Sequence, residues 1–183
     1  MAELTIDERF EQELKQADID HHTPTAGAMT GHILSNLVIQ ANKLQQAAWY
    51  VKGPERFSLV PKFTELLAQS QQLSSELGHL LLDEGEVPPS TTADYQKYSM
   101  LEESGKNKYF TATAIVDATV HDYDTENLFI DRAIKLAEKE ERPALAAFLV
   151  KLRGINNHNI RDLQFYLGND ARTGLDEEDD DDD

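Results

Sequence analysis

Pro88-Pro89-Ser90-Thr91-Thr92-Ala93-Asp94-Tyr95-Gln96-Lys97-Tyr98-Ser99-Met100-Leu101-Glu102-Glu103-Ser104-Gly105-Lys106-Asn107-Lys108 is the stretch that decides the fold. Two prolines open it, and the polar run Glu102-Glu103-Ser104-Gly105-Lys106 lies near its end, with a sparse apolar set at Tyr95, Tyr98 and Leu101. Proline lacks the amide hydrogen that a helix interior needs. The segment therefore reads as a crossover carrying one short helix. A connection this long lets the helices on either side of it lie parallel. The short joints at Gly53-Pro54 and Glu141-Arg142-Pro143 instead imply antiparallel neighbours.

Outward from the crossover, apolar residues recur at helical spacing. On the N-terminal side, Leu59, Phe63, Leu66, Leu67, Leu73, Leu77 and Leu80 predict a helix that stops at Gly85. Before Gly53-Pro54, Ile33, Leu37, Ala41, Leu44 and Ala48 repeat at three and four residues, which predicts a helix of about 25 residues. On the C-terminal side, Val116, Val120, Tyr123, Ile130, Ile134 and Ala137 mark a third helix. Leu145, Phe148, Leu149, Leu152, Ile155, Leu163 and Leu167 mark a fourth. Pro143 suits a first helical turn, and Gly168-Asn169 suits a left-handed terminal cap. The expected class is all-α, a ferritin-like four-helix bundle over residues 26–168 with a long crossover carrying a short helix. Residues 1–25 read as an acidic extension in which Leu4, Ile6, Phe10, Leu14 and Ala17 allow a short amphipathic helix, followed by a linker at His21-His22-Thr23-Pro24. Residues 169–183 read as a disordered acidic tail, because the all-acidic run Asp176 to Asp183 repels itself.

Composition narrows the function. With 183 residues and 40% hydrophobic content, the chain can build one core of ordinary size. It has no apolar run of about 18 residues and no signal-like opening, so the expected address is cytoplasmic, with no membrane partner. The absence of cysteine removes thiolate ligands and thiol nucleophiles. Seventeen basic residues stand against 34 acidic ones, a formal net charge of −17, and −9 remains without the eight terminal acids. DNA binding is not expected from that charge, because phosphate-backbone binding draws on clustered Lys and Arg. No glycine-rich phosphate loop, dinucleotide fingerprint or nucleophile elbow stands out.

Lys43-Leu44-Gln45-Gln46-Ala47-Ala48-Trp49-Tyr50-Val51-Lys52-Gly53-Pro54, extended by Phe57, Leu59 and Phe63, resembles the segment around the HW-x-V-x-G-x-x-F signature of the Dps mini-ferritins. The stretch Pro88 to Tyr95 is similar to that family's element before its crossover helix, and Tyr166-Leu167-Gly168 to its ending. The resemblance implies a homo-oligomer, a hollow dodecamer of four-helix subunits, that oxidises ferrous iron and stores the ferric product, with iron as its cargo. It also implies a ferroxidase site shared across a two-fold interface, two histidines from one subunit and an Asp-x-x-x-Glu pair from the other. Those four positions fall here on Ala48, Val60, Ser75 and His79, and a further acidic position falls on Thr64. Alanine and valine offer no donor atom to iron. In the same comparison Trp49 and Tyr50 lie near the two-fold interface and read as packing. The Lys-rich extension through which some relatives hold DNA is represented here by Arg9 and Lys15 among Glu3, Asp7, Glu8, Glu11, Glu13, Asp18 and Asp20.

Other donors remain. Glu76 and His79 form one Glu-x-x-His step, half of the set that di-iron bundles use, while the fourth helix offers Asn156 and Asn159 at the matching spacing. Asp117 and His121 stand four apart on the third helix, with Asp122, Asp124 and Glu126 nearby, which allows a mononuclear or adventitious site. An intrasubunit metal site of Glu76, His79, Asp117 and His121 is one reading; half-buried, hydrogen-bonded histidines are the plainer one. The polar run Asn156-Asn157-His158-Asn159 reads as a solvated or subunit-contact stripe, and Glu138, Glu140 and Glu141 as candidate linings of a cation pore. Two functions follow: an iron-binding, stress-protective shell that has lost the usual ferroxidase set, or a non-catalytic oligomeric assembly protein on the same bundle.

Overall fold

A computed structural model describes residues 4–175; the acidic run Asp176 to Asp183 lies outside the described residues. Helix α1 (Ile6–His22) opens with Thr5 and Glu8 capping each other's backbone. It stands off the bundle: Ile6, Phe10, Leu14 and Ile19 all remain more than half exposed. Four long helices follow, α2 (Ala26–Tyr50), α3 (Arg56–Asp83), α5 (Ala112–Lys139) and α6 (Pro143–Tyr166). Between α3 and α5 the crossover carries the short helix α4 (Thr92–Tyr98) and a 3-10 turn (Gly105–Tyr109). Thr25, Thr91 and Thr111 cap α2, α4 and α5 through their hydroxyls.

Long-range contacts fix the directions. Lys43 meets Asp122 and the Ala26 amide meets Glu140, so α2 and α5 are antiparallel. Asn156 meets Glu126 and Arg153 meets Asp131, so α5 and α6 are antiparallel; Lys62–Asp162 and Lys151–Glu76 make α6 antiparallel to α3. The helices joined by the crossover, α3 and α5, are therefore parallel, in a ferritin-like four-helix bundle. The crossover is tied to α2. His32 donates from Nδ1 to the Tyr98 carbonyl (2.8 Å), and the Ser99 hydroxyl and Met100 amide donate to Oδ1 of the buried Asn36.

The apolar core is in two parts. One packs Leu44, Phe63, Leu66, Val116, Val120 and Leu163 towards the α2–α3 joint. The other packs Ile33, Leu77, Leu81, Ile130, Leu145 and Leu149 at the opposite end. Between them lies a buried polar layer of Gln40, Ser70, Glu126, Asn127, Asn156 and Asn159.

Two regions of the chain differ from expectation. Residues 169–175, expected in the tail, lie folded on the bundle. Leu175 is buried in the first core half, Arg172 reaches Asp124 (3.2 Å), and Gln164 donates to the Thr173 carbonyl (2.8 Å). An apolar leucine and these partners hold the segment against the bundle. Glu140, a candidate pore lining, is instead committed: it accepts from the Ala26 amide (2.8 Å) and lies 3.6 Å from Arg142. Arg142 also donates to Glu84 (2.9 Å) and Glu86 (2.7 Å), so one guanidinium fastens the α5–α6 joint to the end of α3. The tight joint places Glu141 at φ 57°, with the Arg142 amide closing back on the Ala137 carbonyl. A side chain costs about 1 kcal/mol or more in that left-handed region. Glu141→Gly is expected to raise folding stability by about 0.5–1 kcal/mol, read as a higher denaturant midpoint with an unchanged slope.

Candidate functional site

Ala48 is buried and Val60 half-buried, both packed at the α2–α3 joint among Leu44, Leu59 and Phe63. Ser75 and His79 lie on α3, exposed, one turn apart. They line a groove of about 300 Å³ with Leu34, Gly78, Pro89 and Tyr95. Ser70 donates to the Leu37 carbonyl across the α2–α3 pair, so Ser75 stands roughly 15 residues, or about 23 Å, along the bundle from the level of Ala48. One subunit cannot bring the two pairs together.

Glu76 accepts from Gln72 (2.8 Å) and from Lys151 (3.5 Å), and the Gln72 bond holds its carboxyl below the usual carboxylate range. Asp117 and His121 face each other on α5 with Nε2 to Oδ2 at 3.9 Å, both more than half exposed. Through α6, Glu76 is level with the α5 turn beyond Asp131, and so at least about 18 Å from His121. The two pairs are not brought together. Among the described residues, no group of three or more His, Asp or Glu is placed to hold a metal ion.

The middle of the bundle differs most from the sequence reading. Asn156 and Asn159, expected on a solvated or contact stripe, are 1% and 2% exposed. Asn156 donates to Glu126 Oε2 (3.0 Å) and Asn159 to Gln69 Oε1 (2.7 Å). Asn157 and His158 do face outward, His158 lying 3.4 Å from Asp162. Glu126, expected only as one of the carboxylates near Asp117 and His121, is the buried carboxyl of this layer at 1% exposure. Burial pushes it up to about 8, opposed by the Asn156 hydrogen bond and reinforced by the charge of Asp122. Burial also raises Asp122, against the pull of Lys43, which sits 2.7 Å away. The Tyr123 phenol, fully enclosed beside Glu126, is pushed far up for the same reason. The spacing carried a signal. Leu145, Leu149, Leu152, Asn156, Asn159 and Leu163 continue one three-and-four repeat, which places both asparagines on the apolar face.

Asn156→Asp would set a second carboxyl against Glu126. It is expected to destabilise the fold by about 2–4 kcal/mol at pH 8, with a smaller loss at pH 5 where both groups take up protons, measured by denaturant unfolding at the two pH values.

A sequence model described as a ferritin-like domain matches residues 30–173. DNA protection during starvation protein 2 of Bacillus anthracis is 30% identical over 99 residues, 54% of this chain and 66% of that protein. General stress protein 20U of Bacillus subtilis is 26% identical over 136 residues, 74% of this chain and 92% of that protein. The crystal structure of Lactococcus lactis DpsB superposes with a TM-score of 0.85 at 44% identity, covering 90% of this chain and 95% of DpsB. That of DpsA from the same organism gives 0.86 at 38%, covering 91% and 98%. With its parallel α3 and α5, its crossover helix and these relatives, the chain belongs to the Dps family of ferritin-like proteins.

Proposed function

We propose that this protein is a cytoplasmic, homo-oligomeric mini-ferritin shell, a dodecamer, that binds and stores iron as cargo and protects against stress without the inter-subunit ferroxidase centre of its family. The observation that carries this reading is the pair Ala48 and Val60, two apolar side chains packed into the core where imidazoles would have to stand. Alanine and valine lack donor atoms, and Ala48 is buried among apolar neighbours. Two relatives are named for starvation and general stress, which supports the protective role.

Self-association is supported by the surface. Trp49, Phe57, Tyr109 and Phe165 are all at least 60% exposed, and they cluster by sequence at the α2–α3 end of the bundle. Large exposed aromatic side chains in one region are a feature of protein contacts. Iron binding is supported by charge: the chain is strongly acidic, and Glu138 and Glu141 remain exposed at the far end of α5. Carboxylates take ferrous and ferric ions through oxygen, with weak individual affinity and additive capacity.

The test is anaerobic loading of the assembled shell with ferrous salt, then peroxide or oxygen, followed at the ferric absorbance. Wild-type protein is expected to oxidise iron no faster than buffer while retaining ferric product on gel filtration. The combined variant Ala48→His, Val60→His, Ser75→Asp, His79→Glu is expected to accelerate oxidation at least tenfold, about 1.4 kcal/mol of barrier. Rapid oxidation by the wild type would overturn the proposal.

A further inference from the structure

Five buried side-chain atoms of the described residues have no hydrogen-bond partner: Asn36 Nδ2, Gln40 Nε2, Gln40 Oε1, Glu126 Oε1 and Asn127 Oδ1. All belong to the mid-bundle layer or the turn of α2 beside it. Buried polar groups in folded proteins are satisfied almost without exception, by protein or by internal water. If Glu126 is ionised, Oε1 is a buried charge with no hydrogen-bond partner, Asn156 on Oε2 is its one donor, and the neighbouring Tyr123 phenol interacts with Gln40 and Asn159 instead. If Glu126 carries a proton on Oε1, that atom becomes a donor and two amide oxygens remain to receive hydrogen bonds.

Space and charge agree with the second arrangement. A cavity of about 30 Å³ adjoins Gln40, lined by Leu44, Ala47, Ile115, Thr119 and Asp122, which is room for a water molecule. Of the charged groups around Glu126, Lys43 from α2 and Asp122 from α5 are paired with each other at 2.7 Å. Tyr123 is a neutral phenol, and α3 and α6 face the layer with the uncharged Gln69, Ser70, Asn156 and Asn159. No free cation among these neighbours compensates a carboxylate.

We propose that the centre of the bundle is a binding site for one proton and internal water, in which Glu126 stands as the neutral carboxylic acid. Oε1 donates into the amide groups, Oε2 accepts from Asn156, and water in the adjoining cavity meets Gln40. Ionisation releases the Oε1 proton to solvent, leaving a buried carboxylate. The burial that pushes Glu126 up to about 8 from an ordinary 4.5 supports the assignment. The folded chain then holds this proton more tightly than the unfolded chain. Its stabilisation is complete below about 4.5, declines as pH rises and levels off above about 8. Within that window each pH unit lowers the folding constant about tenfold relative to a variant that cannot ionise.

Infrared difference spectroscopy on the full-length, assembled protein carrying 13C-glutamate tests this, as wild type minus Glu126→Gln from pH 5 to pH 10. The expected result is a labelled carboxylic-acid carbonyl band at pH 6 that vanishes with a midpoint near 8. The isotope separates Glu126 from Asp122, and the labelled wild type alone gives the same reading if the variant fails to assemble. A carboxylate band at pH 6 overturns the proposal; a shift of that band on adding EDTA would identify a cation as the occupant instead.

Discussion

The hydrogen bond from Asn156 to Glu126 ties α6 to α5 within the buried polar layer of the bundle. It lies where the apolar core is interrupted. An orphaned buried polar atom costs about 1–3 kcal/mol, about what the burial of one leucine contributes. The two apolar halves can carry such a layer only while its members find one another. Sliding α6 by one turn would keep leucines facing the core but remove Asn156 from Glu126 and Asn159 from Gln69 together, leaving those buried polar groups against apolar neighbours. The polar layer therefore selects one register among several that the hydrophobic pattern would accept.

From that register the outer features follow. With α2 and α5 aligned by Lys43–Asp122, Glu140 reaches the first amide of α2, and Arg142 is carried to Glu84 and Glu86. Glu86 also covers Gly27, where a Cβ would lie 2.2 Å from its carboxyl carbon. This end of the bundle is a closed electrostatic clamp. The opposite end is a different chemical surface, with exposed aromatic side chains and Lys108 lying over Tyr50 and Tyr109. Among the described residues, one pole is satisfied within the chain, and the other presents exposed apolar area.

The helices and their order were legible because each long helix carries a three-and-four apolar repeat bounded by proline, glycine or threonine. The crossover was legible from Pro88-Pro89 and its length. The bundle centre was not read correctly, because asparagine is ordinarily a surface residue and the run Asn156 to Asn159 invites a solvated reading. The leucine repeat through Leu152 and Leu163 contained the answer. The burial of Glu126 is not legible for a related reason: sequence places it with Asp122 and Asp124 near His121, and nothing local tells which carboxyl is buried. Leu175 reads as tail because a single leucine beside an acidic run carries no periodicity. The altered positions Ala48, Val60, Ser75 and His79 were legible through family resemblance, and the fold supplies what sequence could not, that they form two pairs about 23 Å apart in one chain.

On the proposed function, this Dps-family chain keeps the bundle while Ala48 and Val60 replace the histidine half of the inter-subunit iron site with apolar packing. Crystals of the assembled protein soaked anaerobically in ferrous salt, with anomalous scattering collected at the iron edge, decide the matter. No iron is expected between Ala48 and Val60 of one subunit and Ser75 and His79 of another; an ordered iron peak at that junction would overturn the proposal.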